Sequence, residues 1–119
     1  MEDFIIREID RIGEMMMVIA KRLGLLEGNP ADYSLSVVKE EFDKTGLPVD
    51  LDAVLKHETP IRYLINEMRL SDQGLELLVD ILFHSDIEES QKRSLLEDAL
   101  TYLDGKGFYS FNLHSLRIG

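Results

Sequence analysis

The sequence predicts an all-α protein of six to seven helices: a long N-terminal amphipathic helix followed by a TPR-like bundle of helical hairpins. Three observations carry that expectation. Apolar residues in the first segment fall at Ile5, Ile9, Ile12, Met16, Ile19, Leu23 and Leu26, a heptad rhythm of alternating four- and three-residue steps. Further along, helical spacing recurs between start signals such as Asn29-Pro30, Thr59-Pro60 and Ser71-Asp72. No stretch makes a convincing strand: FYSFNL (108–113) alternates weakly and has no second strand to pair with.

The elements follow in order. The first helix is expected over Asp3–Leu26, with acidic residues at its opening and Lys21-Arg22 at its close, as the helix dipole prefers. The GNP stretch (28–30) reads as the one hinge, dividing a single domain (1–119) into an N-terminal helix (1–27) and a bundle (30–119). A second helix is expected from Pro30 to about Lys44, with Leu35, Val38 and Phe42 on one face and Gly46-Leu47-Pro48 as its stop. Asp50 or Asp52 then caps a short helix bearing Leu51, Val54 and Leu55. Thr59-Pro60 opens a fourth, with Ile61, Leu64, Ile65 and Met68 at helical spacing.

Ser71-Asp72 opens a fifth helix. Its apolar residues, from Leu75 through Leu77, Leu78, Val79, Ile81 and Leu82 to Phe83, wrap most of the way round, so it is expected at the centre. Ser85 and Glu88 have capping-box spacing ahead of a sixth helix carrying Leu95, Leu96, Ala99, Leu100 and Leu103. A turn over Asp104–Gly107 leads to a last short helix capped by Ser110. In a TPR register set by Ala99-Leu100, Phe83 and Leu96 take large-residue positions, while Asp80 and Lys92 stand where small residues belong.

Composition narrows the function. The 119 residues amount to one domain, and a net charge of −10 repels phosphate backbones, which argues against a nucleic-acid partner. The absence of cysteine excludes disulfides, thiolate metal sites, iron–sulfur clusters and cysteine nucleophiles. No apolar run reaches the ~18–20 residues that span a bilayer, and Glu2-Asp3 stand where a signal peptide carries basic residues. A cytoplasmic protein with no membrane partner is expected.

Candidate chemistry is thin. Met15, Met16 and Met17 are soft-metal donors by type, but neighbouring helical residues point ~100° apart and cannot converge on one ion, so packing is the expectation. A calcium loop fails in both registers: from Asp43 the sixth position is Pro48, and from Glu41 the last is Asp52 where a bidentate glutamate is needed. His57, His84 and His114 are scattered, and the first two suit helix C-termini. The acidic run of Asp86, Glu88 and Glu89 suits a first helical turn. No G-x-S-x-G, phosphate-binding or dinucleotide-binding glycine pattern occurs, so no catalytic, cofactor or metal residue is assigned.

DFIIREIDRIG (3–13), with Arg22-Leu23-Gly24 as a stop, GLPVDLDAVL (46–55), ALTYL (99–103) and Ser110 to Leu113 resembles a family of short all-helical bacterial proteins of unknown function. The resemblance implies a TPR-like C-terminal half and supplies no functional residues.

The expected function is therefore a non-catalytic protein-interaction or scaffold module using its N-terminal helix. Ile5, Ile9, Ile12, Met16 and Ile19 line the seam, Met17 and Val18 add apolar surface away from it, and Ile6, Gly13 and Ala20 allow close approach. A protein partner or a homo-oligomer is expected to cover this helix. The alternatives are a regulator binding a small ligand between helices and a small metal-dependent hydrolase, which requires the histidines to converge with carboxylates.

Overall fold

The computed structural model describes residues 2–25, 33–47 and 49–118, with the side chains of residues 2–10 and 118 outside that description. The described residues form seven helices and no strand: α1 (Glu2–Arg22), α2 (Leu35–Thr45), α3 (Leu51–Lys56), α4 (Pro60–Asn66), α5 (Asp72–Phe83), α6 (Glu89–Gly105) and α7 (Phe111–Ile118). The fold is all-α. None of these helices is long and apolar enough to cross a membrane.

Local chemistry sets the boundaries, and at three of them the outcome differs from the sequence expectation. Helix α1 stops at Arg22 and not at Leu26, because Gly24 takes the left-handed conformation (φ 80°) and its N–H donates to the Lys21 carbonyl. Helix α2 begins at Leu35 and not at Pro30: Ser34 is extended, and its hydroxyl accepts from the Val37 N–H. The hinge residues Gly28, Asn29 and Pro30 lie outside the described residues. Helix α6 begins at Glu89, and Ser85 does not cap it. The Ser85 hydroxyl turns back to the Leu82 carbonyl at 2.6 Å, closing the helix before instead of opening the one after.

Of the remaining signals most hold, though Thr59 makes no side-chain cap bond to α4, which ends at Asn66, before Met68. Asp50 Oδ1 accepts from the N–H groups of Asp52 and Ala53. Pro60 occupies the first turn of α4, Ser71 caps α5 through Gly74 N–H, and Ser110 accepts from Leu113 N–H at the start of α7. Gly46 ends α2 at φ 75°, a conformation that a side chain would strain.

Every helix contributes to one buried cluster. Helix α5 lies at its middle, packed against α1, α4, α6 and α7, with Leu75, Leu78, Ile81 and Leu82 fully buried. Helix α2 packs on α1, α3 on α4, and α7 on both α5 and α6.

The last turn of α5 shows how buried polar groups are satisfied here. Helix C-termini leave carbonyls without intrahelical partners. The Ile81 carbonyl accepts from the Tyr33 hydroxyl at 2.7 Å, and Leu82 accepts from Ser85. His84 Nδ1 lies 2.9 Å from the Asp80 carbonyl and 3.3 Å from its carboxylate. Both of those oxygens can only accept, so Nδ1 carries the proton. Burial, with the Asp80 carboxylate nearby, holds the Tyr33 phenol well above its ordinary value. Asp80 is thus a buried residue with a partner, and Lys92 lies half-buried with its ammonium 5.9 Å from the Phe83 ring.

Candidate interaction surface on helix α1

The rotation of α1 assigns each methionine a different environment. Met16 is fully buried, Met15 is half-buried against the core, and Met17 is exposed. Neighbouring side chains on one helix cannot share an ion, and the three do not converge. The inner face consists of Ile12, Gly13, Met16, Ile19, Ala20 and Leu23. Ile12 is half-buried and the others are buried. Its main neighbours are α5 and α2.

This placement corrects part of the expected interface. Met16 and Ile19 have no exposed surface and are unavailable to a partner, because the chain's own core covers the seam they belong to. Gly13 and Ala20 allow close approach, but within the molecule: a β-carbon on Gly13 would meet Ser71 Oγ of the α5 cap at 3.8 Å. Ile12 is partly covered in the same way. The side chains of Ile5, Ile6 and Ile9 lie outside the described residues.

Met17 and Val18 stand apart from this group. They retain 37% and 48% of their surface, Val18 on the side of α1 away from the core and Met17 on the flank of its inner face. Around them the exposed residues are Arg11, Glu14, Lys21 and Arg22. Arg22 Nε reaches Glu41 Oε2 of α2 at 3.2 Å and ties the end of α1 to the bundle. The charged frame of this face was not among the sequence expectations. Its signal lay in the spacing of Glu14 and Lys21 about the Met17-Val18 pair.

Other candidates resolve into local structure. His57 Nδ1 accepts from the Thr59 N–H at 3.0 Å, and the ring packs 4.9 Å from that of Tyr63. His114 stacks on Tyr109 and meets Asp104 at 3.2 Å. The three histidines thus keep separate sets of neighbours, and no group of three His, Asp or Glu side chains among the described residues could hold a metal. The would-be calcium ligands are divided: Glu41 pairs with Arg22, Asp50 caps α3, and Asp52 meets Lys39 at 2.6 Å. The hydrogen bond from Lys39 holds the Asp52 carboxyl below its ordinary value.

Two concave features are open grooves and not closed cavities. One of ≈ 710 Å3 runs between α4 and α6, with Ile61, Ile65 and Tyr102 beside Arg62, Asn66 and Asp98. The other, of ≈ 480 Å3, lies beside α2 and α3 around Phe42, Leu47 and Met68. Elsewhere Tyr109 and Phe111 project from the α6–α7 corner, 68% and 74% exposed.

No protein-family model, curated protein or solved structure matches this chain.

Proposed function

We propose that this protein is a non-catalytic interaction module whose docking face is the solvent side of α1. One observation carries the reading: Met17 and Val18 are exposed on a helix whose opposite face, Met16, Ile19 and Ala20, is fully buried. A helix anchored so firmly on one side presents its other side at low conformational cost, as binding favours. Methionine suits such a surface because its flexible thioether adapts to the partner's shape. The net charge of −10 favours a protein partner over nucleic acid. A chain without cysteine suits the reducing cytoplasm, and we place the protein there as part of the same proposal. The TPR-like reading of α5 and α6 also belongs here: Asp80 and Lys92, in small-residue positions, have partners that accommodate them.

The test is capture of partners by wild type and by the Met17→Glu/Val18→Glu variant. Both positions are exposed, so the variant keeps its helical circular dichroism while losing the partner. Retention of every partner by the folded variant overturns the reading. A second reading, a regulator taking a small ligand, draws on the α4–α6 groove, where Ile61, Ile65 and Tyr102 share the lining with Arg62, Asn66 and Asp98. Its test is a Tyr102→Ala variant that loses ligand-induced thermal stabilisation.

A further inference from the structure

The α1 docking face carries a charge pattern that identifies its occupant. On the exposed side the order is Glu14, Met17, Val18, Lys21. Glu14 stands three residues before Met17, and Lys21 three residues after Val18. The pattern is therefore symmetric about the Met17–Val18 bond in everything except the sign of its two charges. Helical rotation spreads the four over about 100° of the outer side, with Glu14 and Lys21 at its middle and Met17 and Val18 on its two flanks. Glu14 and Lys21 lie ~10 Å apart along the axis, too far to pair within one chain.

Such a face complements itself in one orientation only. Parallel pairing of two copies sets glutamate against glutamate and lysine against lysine. Antiparallel pairing about a two-fold axis that lies between the helices, level with the Met17–Val18 bond, sets Glu14 against the partner's Lys21, and Lys21 against the partner's Glu14. Between these pairs, Met17 lies beside the partner's Met17 on one flank, and Val18 beside the partner's Val18 on the other. Isologous contacts of this kind close at two copies.

Resting on the reading of α1 as a docking face, we infer that a second copy of this chain occupies it, with the two α1 helices antiparallel. The described patch is a few residues per side, far below the ~20–30 of a stable complex. The dimer is therefore weak and forms only as concentration rises.

Sedimentation velocity across micromolar to millimolar concentration tests this, with circular dichroism confirming the fold of each variant. Wild type shifts from monomer toward dimer. Glu14→Lys and Lys21→Glu each weaken association by about tenfold, because each converts two symmetric attractions into repulsions. The double swap Glu14→Lys/Lys21→Glu restores the complementary antiparallel pairing and with it the dimer. A wild type that stays monomeric, single reversals without effect, or a double swap that fails to restore association overturns the inference. Failure of the docking-face reading is separate: it shows as unchanged partner capture in the Met17→Glu/Val18→Glu variant. A monomeric wild type whose partner is lost in that variant removes the second copy and leaves the docking face.

Discussion

Two helices of this chain, α5 and the central turns of α1, are apolar around most of their circumference, yet only one is covered on all sides. Helix α5 packs against α1, α4, α6 and α7, and from Leu77 to Leu82 no residue exceeds 6% exposure. Helix α1 has α5 and α2 as its main neighbours, and Met17 and Val18 remain outside. A run of hydrophobic residues records how much burial a helix can use. How much it receives depends on how many neighbours the fold supplies. The surplus on α1 is the basis for reading its outer face as a docking surface.

The sharpest way to break this comparison is to place a charge on each side of α1. Met16→Glu buries a charge without a partner and is expected to cost more than ~4 kcal/mol, enough to unfold the protein in a urea titration. Met17→Glu, one residue on, is expected to change stability by no more than about 0.5 kcal/mol. Similar losses at both positions would mean that α1 has no free side.

Truncation inside α5 comes next. Leu78→Ala removes a side chain with no exposed surface and is expected to cost about 2–5 kcal/mol by equilibrium unfolding. A loss below ~1 kcal/mol would show that α5 is not the centre of the core.

The polar end of α5 gives a smaller effect with a pH signature. Tyr33→Phe removes the hydroxyl that donates to Ile81 and is expected to cost about 1 kcal/mol near neutral pH. The folded phenol has a raised pKa, so its contribution is fully present below the ordinary tyrosine value and is lost as pH rises through the folded one. In a spectrophotometric titration Tyr33 should ionise late, together with alkaline unfolding, and the late phase should be missing from Tyr33→Phe. A titration with no late phase that Tyr33→Phe removes would rule out the capping role.

The smallest effect concerns the inner face of α1. A β-carbon on Gly13 meets its nearest neighbour at an ordinary van der Waals distance, so Gly13→Ala should stabilise the protein by about 0.5–1 kcal/mol, read from the urea midpoint. A loss would mean that α1 and α5 approach more closely at that point.

The helical class, the central place of α5 and most caps were legible because they depend on periodicity and on residues three or four positions apart. Asp50, Ser71 and Ser110 act on their own next turn. What was not legible depends on distance in the chain. Tyr33 meets Ile81 across 48 residues, and nothing near either residue announces the pair. Ser85 has capping-box spacing to Glu88, but α6 begins only at Glu89, and the Ser85 hydroxyl bonds back to Leu82 at the end of α5. The seam of α1 was readable, but its coverage by the chain's own α5 was not, so Met16 and Ile19 had looked available to a partner.

The most direct measurement uses methyl NMR spectra of the protein with labelled methionine and valine, recorded over a dilution series. The account predicts that the Met17 and Val18 methyl resonances shift as concentration rises while Met16 stays fixed. Spectra with no concentration dependence at Met17 and Val18, or with Met16 moving alongside them, would contradict it.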